Sequence, residues 1–150
     1  NGVIEKYCYD NDENNCTKYG GLYEWTEAMQ YVTTEGTQGI CPSGWHIPTR
    51  AEFRILESYV NDEAVKLIDV GENMNGYTPA NTSGFSALFA GYRRIINGYF
   101  NYLGLYTYFW SSTEIDSGNA YGMYLFSNYS DVSVSGDSKI NGVSVRCLKD

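Results

Sequence analysis

Four cysteines, Cys8, Cys16, Cys41 and Cys147, constrain the folding of this 150-residue chain more than any other feature. There is no Cys-x-x-Cys pair, and His46 is the lone histidine, so a zinc site lacks its ligands. Disulfides in an oxidising compartment are the better account. Four cysteines permit three pairings. The favoured one joins Cys8 to Cys16 across a polar stretch (Tyr9 to Asn15) with little apolar content to hold itself, and Cys41 to Cys147. The second bridge closes a loop of more than one hundred residues, worth about 4–5 kcal/mol if chain entropy dominates.

Charge narrows the partners. Acids outnumber bases 18 to 10, and the net charge is -8. Nucleic acid needs clustered Lys or Arg, and an anionic membrane surface also attracts them; neither fits. No apolar run approaches the ~20 residues of a membrane span. The length suits one domain. The start at Asn1, without a charged and apolar leader, reads as a mature or excised piece of a larger surface protein.

Two helices are expected in the first half. Leu22, Trp25, Met29 and Val32 share a face of a helix opened by Gly20-Gly21. Thr49, with Glu52 three residues on, forms a capping box for a second helix burying Phe53, Leu56 and Val60, and residues 61–70 read as a short helical extension. Between them Cys41-Pro42-Ser43-Gly44 is a turn and Trp45-His46-Ile47-Pro48 is extended. Residues 71–84 are polar and read as a long loop. Period-two patterns follow: Tyr106, Tyr108 and Trp110 oppose Thr107, Phe109 and Ser111, and Tyr121, Met123 and Leu125 oppose Gly122, Tyr124 and Phe126. Val132/Val134 and Val143/Val145 mark two more strands. Two helices on short, twisted antiparallel strands with long loops make an α+β domain.

From Ile95 to Ser138 there is no Lys or Arg, while Tyr, Asn, Ser and Gly recur. Tyr gives rigid, amphipathic contact area with few rotors, and Ser, Gly and Asn give adaptable hydrogen bonding. Phe109, Trp110, Tyr124 and Phe126 are assigned to the core. Tyr99, Tyr102, Tyr106, Tyr108, Tyr121 and Tyr129 would then form a solvent-facing patch that demands a partner. Asn101, Asn119, Ser127 and Asn128 are its hydrogen-bonding members, and Met123 completes the candidate ligand-binding set.

Several strings resemble the Fibrobacter succinogenes major paralogous domain family: Tyr7-Cys8-Tyr9-Asp10, Tyr19-Gly20-Gly21-Leu22-Tyr23-Glu24-Trp25, and the run from Cys41 to Thr49. Gly91-Tyr92-Arg93, Trp110-Ser111-Ser112-Thr113 and Ser144-Val145-Arg146-Cys147 follow in order. The resemblance implies an extracellular or cell-surface bacterial domain with a C-type-lectin-like fold, whose later loops and small sheet present the ligand surface. The chain is also similar to the variable proteins of diversity-generating retroelements, which share that fold and whose adenine-directed rewriting turns Asn codons into Tyr, Ser, Asp or Gly. That resemblance implies a protein or glycan ligand on another cell or host surface.

Other chemistries fit less well. Asp10-Asn11-Asp12-Glu13-Asn14 places oxygens at alternate positions, as a structural calcium ion requires, but the sixth position is Asn15 rather than Gly and the twelfth is Gly21 rather than Glu. No cofactor is therefore assigned. The Glu-Pro-Asn and Trp-Asn-Asp signatures of calcium-dependent lectins are absent. The stretch from Trp45 to Phe53 resembles formylglycine-generating enzymes, yet the pair of reactive cysteines near the C-terminus is missing. Neither His46 nor the Glu114/Asp116 pair has the neighbours a catalytic group needs, so no catalytic residue is assigned. The expected function is ligand binding or adhesion. Its rivals are a surface-layer or pilus module whose Tyr face packs on a neighbouring domain, and an enzyme of the formylglycine-generating branch.

Overall fold

The computed structural model describes residues 3–150. Its architecture is α+β: short helices and 3-10 turns surround one five-stranded sheet and two small two-stranded ribbons. Both disulfides form as favoured, Cys8–Cys16 and Cys41–Cys147, and no cysteine is free.

The first helix, α1 (Glu13–Tyr19), lies where sequence suggested a calcium-like loop. Asp12 caps it, accepting from the Asn14 backbone N–H at 2.9 Å and from the Asn14 side chain at 3.0 Å. Gly20, with φ 83°, closes the helix rather than opening the next one.

The helix expected from Leu22 to Val32 is mostly absent. Leu22–Tyr23 is strand β1, paired with Ser144 and Val143, and only Trp25–Ala28 remains as the single turn α2. Gln30 and Tyr31 take left-handed φ values of 52° and 62°, which ends the turn and leaves Val32 42% exposed. Cross-strand pairing at one end and a backbone reversal at the other override a helical spacing.

β2 (Trp45–His46) is the expected extended run. α3 (Arg50–Tyr59) carries the expected capping box, with Glu52 N–H donating to Thr49 Oγ1 at 3.1 Å and Thr49 N–H donating to Glu52 Oε2 at 2.8 Å. The predicted extension over 61–70 shrinks to a 3-10 turn, Ala64–Lys66, because Asn61 and Asp62 are left-handed. Asp62 instead accepts from Val132 N–H at 2.9 Å.

The remaining strands are β3 (Tyr92–Arg93), β4 (Phe100–Asn101), β5 (Tyr106–Glu114), β6 (Asn119–Phe126), β7 (Ser133–Ser138), β8 (Val143–Ser144) and β9 (Leu148–Lys149). The main sheet runs β1-β8-β5-β6-β7, while β2 pairs β9 and β3 pairs β4. Alternation along β5 splits the core in two. Phe109 joins Phe53, Phe89, Met123 and Leu125 on the α3 side, whereas Trp110 joins Trp25, Met29, Ile47 and Val143 on the α2 side. Trp110 Nε1 donates to the Tyr23 carbonyl and Trp25 Nε1 to the Ser111 carbonyl, both at 2.8 Å, so each buried indole brings its own hydrogen bond. α2 and its neighbours cover the Trp110 end of this second face; the Tyr106 end stays open.

A candidate ligand-binding face

The open end of the sheet is paved with aromatic rings. Tyr106 and Tyr108 on β5 stand opposite Phe126 and Tyr124 on β6, so all four share one face. Ring centroids are 4.9 Å apart for Tyr106–Phe126 and 4.7 Å for Tyr108–Tyr124, both near edge-to-face. Tyr92 on β3 packs against Tyr108 at 5.0 Å and stacks with Tyr102 at 6.0 Å, Tyr102 meets Tyr106 at 4.4 Å, and Tyr129 meets Phe126 at 5.7 Å. Seven rings thus form one continuous cluster.

Local backbone explains the placement. Gly91 N–H donates to the Tyr106 carbonyl at 2.8 Å, and a Cβ at Gly91 would lie 2.5 Å from the Asn101 carbonyl. Only glycine lets β3 approach closely enough to set Tyr92 beside Tyr108. Gly122 plays the same part inside β6: a Cβ there would meet the Phe109 carbonyl at 2.8 Å and Tyr124 Cζ at 3.6 Å, so the hydroxyl end of Tyr124 lies over bare backbone.

The face grades from floor to rim. Tyr124 is buried and Tyr108 half-buried, and burial pushes both phenols well above their ordinary pKa, keeping them neutral. Tyr99, Tyr102 and Tyr129 are 66%, 45% and 53% exposed. Asn101 lies beside Tyr99, donating to its carbonyl at 3.2 Å, and Asn128 is exposed in the turn between Phe126 and Tyr129.

Four residues of the expected set lie elsewhere. Met123 is 0% exposed in the α3-side core, a consequence of the strand alternation that turns Tyr124 outward. Tyr121 shares Met123's side of β6, where the Arg50 guanidinium sits 4.3 Å above its ring. Asn119 closes a turn at the far end of β6, donating to the Asp116 carboxylate at 3.0 and 3.1 Å. Ser127 is buried, its backbone tied to Leu105 and Asn75. Conversely Phe126, assigned to the core, is half-buried on the face, Tyr124 is buried as assigned but at the floor of that face, and Tyr92 joins it. The register Tyr108↔Tyr124 was the missing information, and only Gly91-Tyr92-Arg93 hinted at Tyr92.

The rings of Tyr92, Tyr108, Tyr124 and Phe126 also border a cleft of about 470 Å³, closed on its other side by Ser135 and Asp137 of β7. Burial pushes the Asp137 carboxyl above its ordinary value, although it accepts from Ser138 N–H at 2.7 Å and Asn141 Nδ2 at 3.0 Å.

The remaining candidates have structural duties. His46 lies between Asp150 Oδ1 at 2.6 Å and Glu52 Oε1 at 3.1 Å, tying the C-terminus to the start of α3. Glu114 pairs with Lys139, and Asp116 accepts from the backbone N–H groups of Gly118 and Asn119, so neither is merely solvated. Glu13 approaches the sulfurs of Cys8 and Cys16, but these are spent in their disulfide. Among the described residues no helix is long and apolar enough to cross a membrane.

The family model of the Fibrobacter succinogenes major domain matches residues 3–149. The chain belongs to this family. No curated protein and no solved structure matches it. Two disulfides fit an oxidising environment.

Proposed function

We propose that this member of the family is an extracellular or cell-surface ligand-binding domain, an adhesion module acting by binding rather than catalysis. The observation that carries the reading is the unbroken set of seven rings on one sheet face, fixed at its floor and exposed at its rim. An aromatic patch on one face, with Asn101, Asn128 and the serines of β7 around it, has the make-up of a paratope. Rigidity favours affinity, because each side chain ordered on binding costs about 0.5–1.5 kcal/mol. Here rings pack on rings, and the Cys41–Cys147 bridge ties the turn before β2 to the link between β8 and β9. The ligand is a protein or glycan of another cell or host surface.

The finer assignments belong to the same proposal: a C-type-lectin-like fold, origin in a larger surface protein, and diversification by a retroelement. Tyr99, Tyr102, Asn128 and Tyr129 are exposed and Asn101 is half-buried, and all five lie outside the two core clusters, so substitution there spares the core. Sequencing the gene's 3′ end and its locus tests diversification. Substitutions at template adenines, gathered in these codons, are expected; an invariant stretch without a template repeat would point to a fixed ligand, or to the structural-module reading.

A further inference from the structure

Asp137 is the acid of a cleft whose other lining is four aromatic rings, Arg94, Asn141, and Ser133, Ser135 and Gly136 of β7. Among the described residues no Lys or Arg forms an ion pair with it. Its two hydrogen bonds leave lone pairs free on the carboxylate. Beside it, Tyr124 Oη is buried without a partner. Ser133, Ser135 and Asp137 alternate along β7 on the side that Tyr124 shares, since Tyr124 and Ser133 are register partners. The Asp137 charge also bears on the phenols of Tyr92 and Tyr108, which places it within electrostatic reach of all three tyrosines.

Carboxylate lone pairs, phenol and serine oxygens and electron-rich ring faces have one ligand chemistry in common. Each of them favours a cation carrying N–H donors. The surroundings agree: the chain is -8 overall, and no base occurs between Ile95 and Ser138. Arg94 also lines the cleft, but it is exposed and makes no ion pair with Asp137.

We propose that this cleft receives the ammonium or guanidinium group of a basic side chain on a protein ligand, held by Asp137 and caged by Tyr92, Tyr108 and Tyr124. The proposal rests on the ligand-binding reading of the face and narrows it to a protein partner presenting Lys or Arg. An unfilled carboxylate is the expected form of such a site. Desolvation weakens the free domain slightly, and the incoming cation supplies the missing charge.

The test uses N-acetyl-lysine amide and N-acetyl-arginine amide, titrated into the ¹⁵N-labelled protein, with the uncharged N-acetyl-norleucine amide as control. Saturable shifts at the amides of Ser133, Ser135, Gly136 and Asp137 are expected from the cations and not from norleucine. Asp137→Asn keeps the size and the bond from Ser138, and should weaken the cation at least about tenfold. Equal shifts from all three probes, no shifts, or unchanged affinity in D137N would overturn the proposal. So would shifts at these amides from methyl glucoside alone, which would assign the cleft to a neutral polyol. Failure here leaves the wider reading standing, because that reading is tested at Tyr99, Tyr102 and Tyr129, none of which borders the cleft.

Discussion

Tyr106 and Phe126 stand directly opposite each other on β5 and β6, with ring centroids 4.9 Å apart and planes at 88°. This edge-to-face pair links the floor of the face to its rim, since Tyr106 also touches Tyr102 and Phe126 also touches Tyr129. A double-mutant cycle with Tyr106→Leu and Phe126→Leu should return a coupling of about 0.5–1.5 kcal/mol beyond lost area. A coupling indistinguishable from zero in denaturant melts would mean the rings move independently and the face is not preorganised.

The element types of the second half were legible in sequence. Period two identified β5 and β6, and Thr49 with Glu52 identified the start of α3, because alternation and capping are local signals. The first half was less so. Leu22, Trp25 and Met29 have helical spacing, but Leu22 pairs with Ser144 more than a hundred residues away, and no local pattern reveals that. The face was half legible: Tyr102, Tyr106, Tyr108 and Tyr129 join one ring cluster and Asn101 stands opposite Tyr92, whereas Tyr99 and Asn128 are exposed outside those ring contacts. Tyr121 and Met123 do not, because only the phase of β6 against β5 decides which ring turns outward.

The two disulfides should differ in weight. The Cys41–Cys147 bridge spans 106 residues and Cys8–Cys16 spans 8. In the chain-entropy picture their removal costs about 4–5 and about 2–3 kcal/mol respectively. Thermal melts of the two double-serine variants should therefore rank C41S/C147S as the less stable.

Gly122 tolerates no side chain. A Cβ would lie 2.8 Å from the Phe109 carbonyl, across the β5–β6 pairing. Gly122→Ala should cost about 1–3 kcal/mol and part the two strands locally. Chemical unfolding reads the first, and amide shifts of Phe109 and Trp110 the second. Wild-type stability in this variant would mean the strand spacing is looser than described.

His46 and Asp137 give stability a pH dependence of one sign. The bond to Asp150 raises the His46 pKa; burial opposes it, and Glu52 adds to the rise. The stabilisation is complete below the unfolded-state value near pH 6.5. It is lost as pH rises through the higher folded-state value. His46→Gln should therefore flatten Tm against pH above neutrality. Burial likewise raises Asp137, so its ionised form opposes folding. Asp137→Asn should raise Tm at pH 7; a lower Tm would show that the carboxylate is compensated in solution.

The central claim is that the exposed tyrosine rim binds a partner, and the direct measurement is flow cytometry of labelled protein on a panel of bacterial and host cells. Wild type is compared with a Tyr99→Ser, Tyr102→Ser, Tyr129→Ser variant of equal Tm. Saturable binding by wild type that falls at least about tenfold in the variant is the expected result, as for truncation of aromatic hot spots. Wild type and variant binding every surface alike, or neither binding any, would contradict the account.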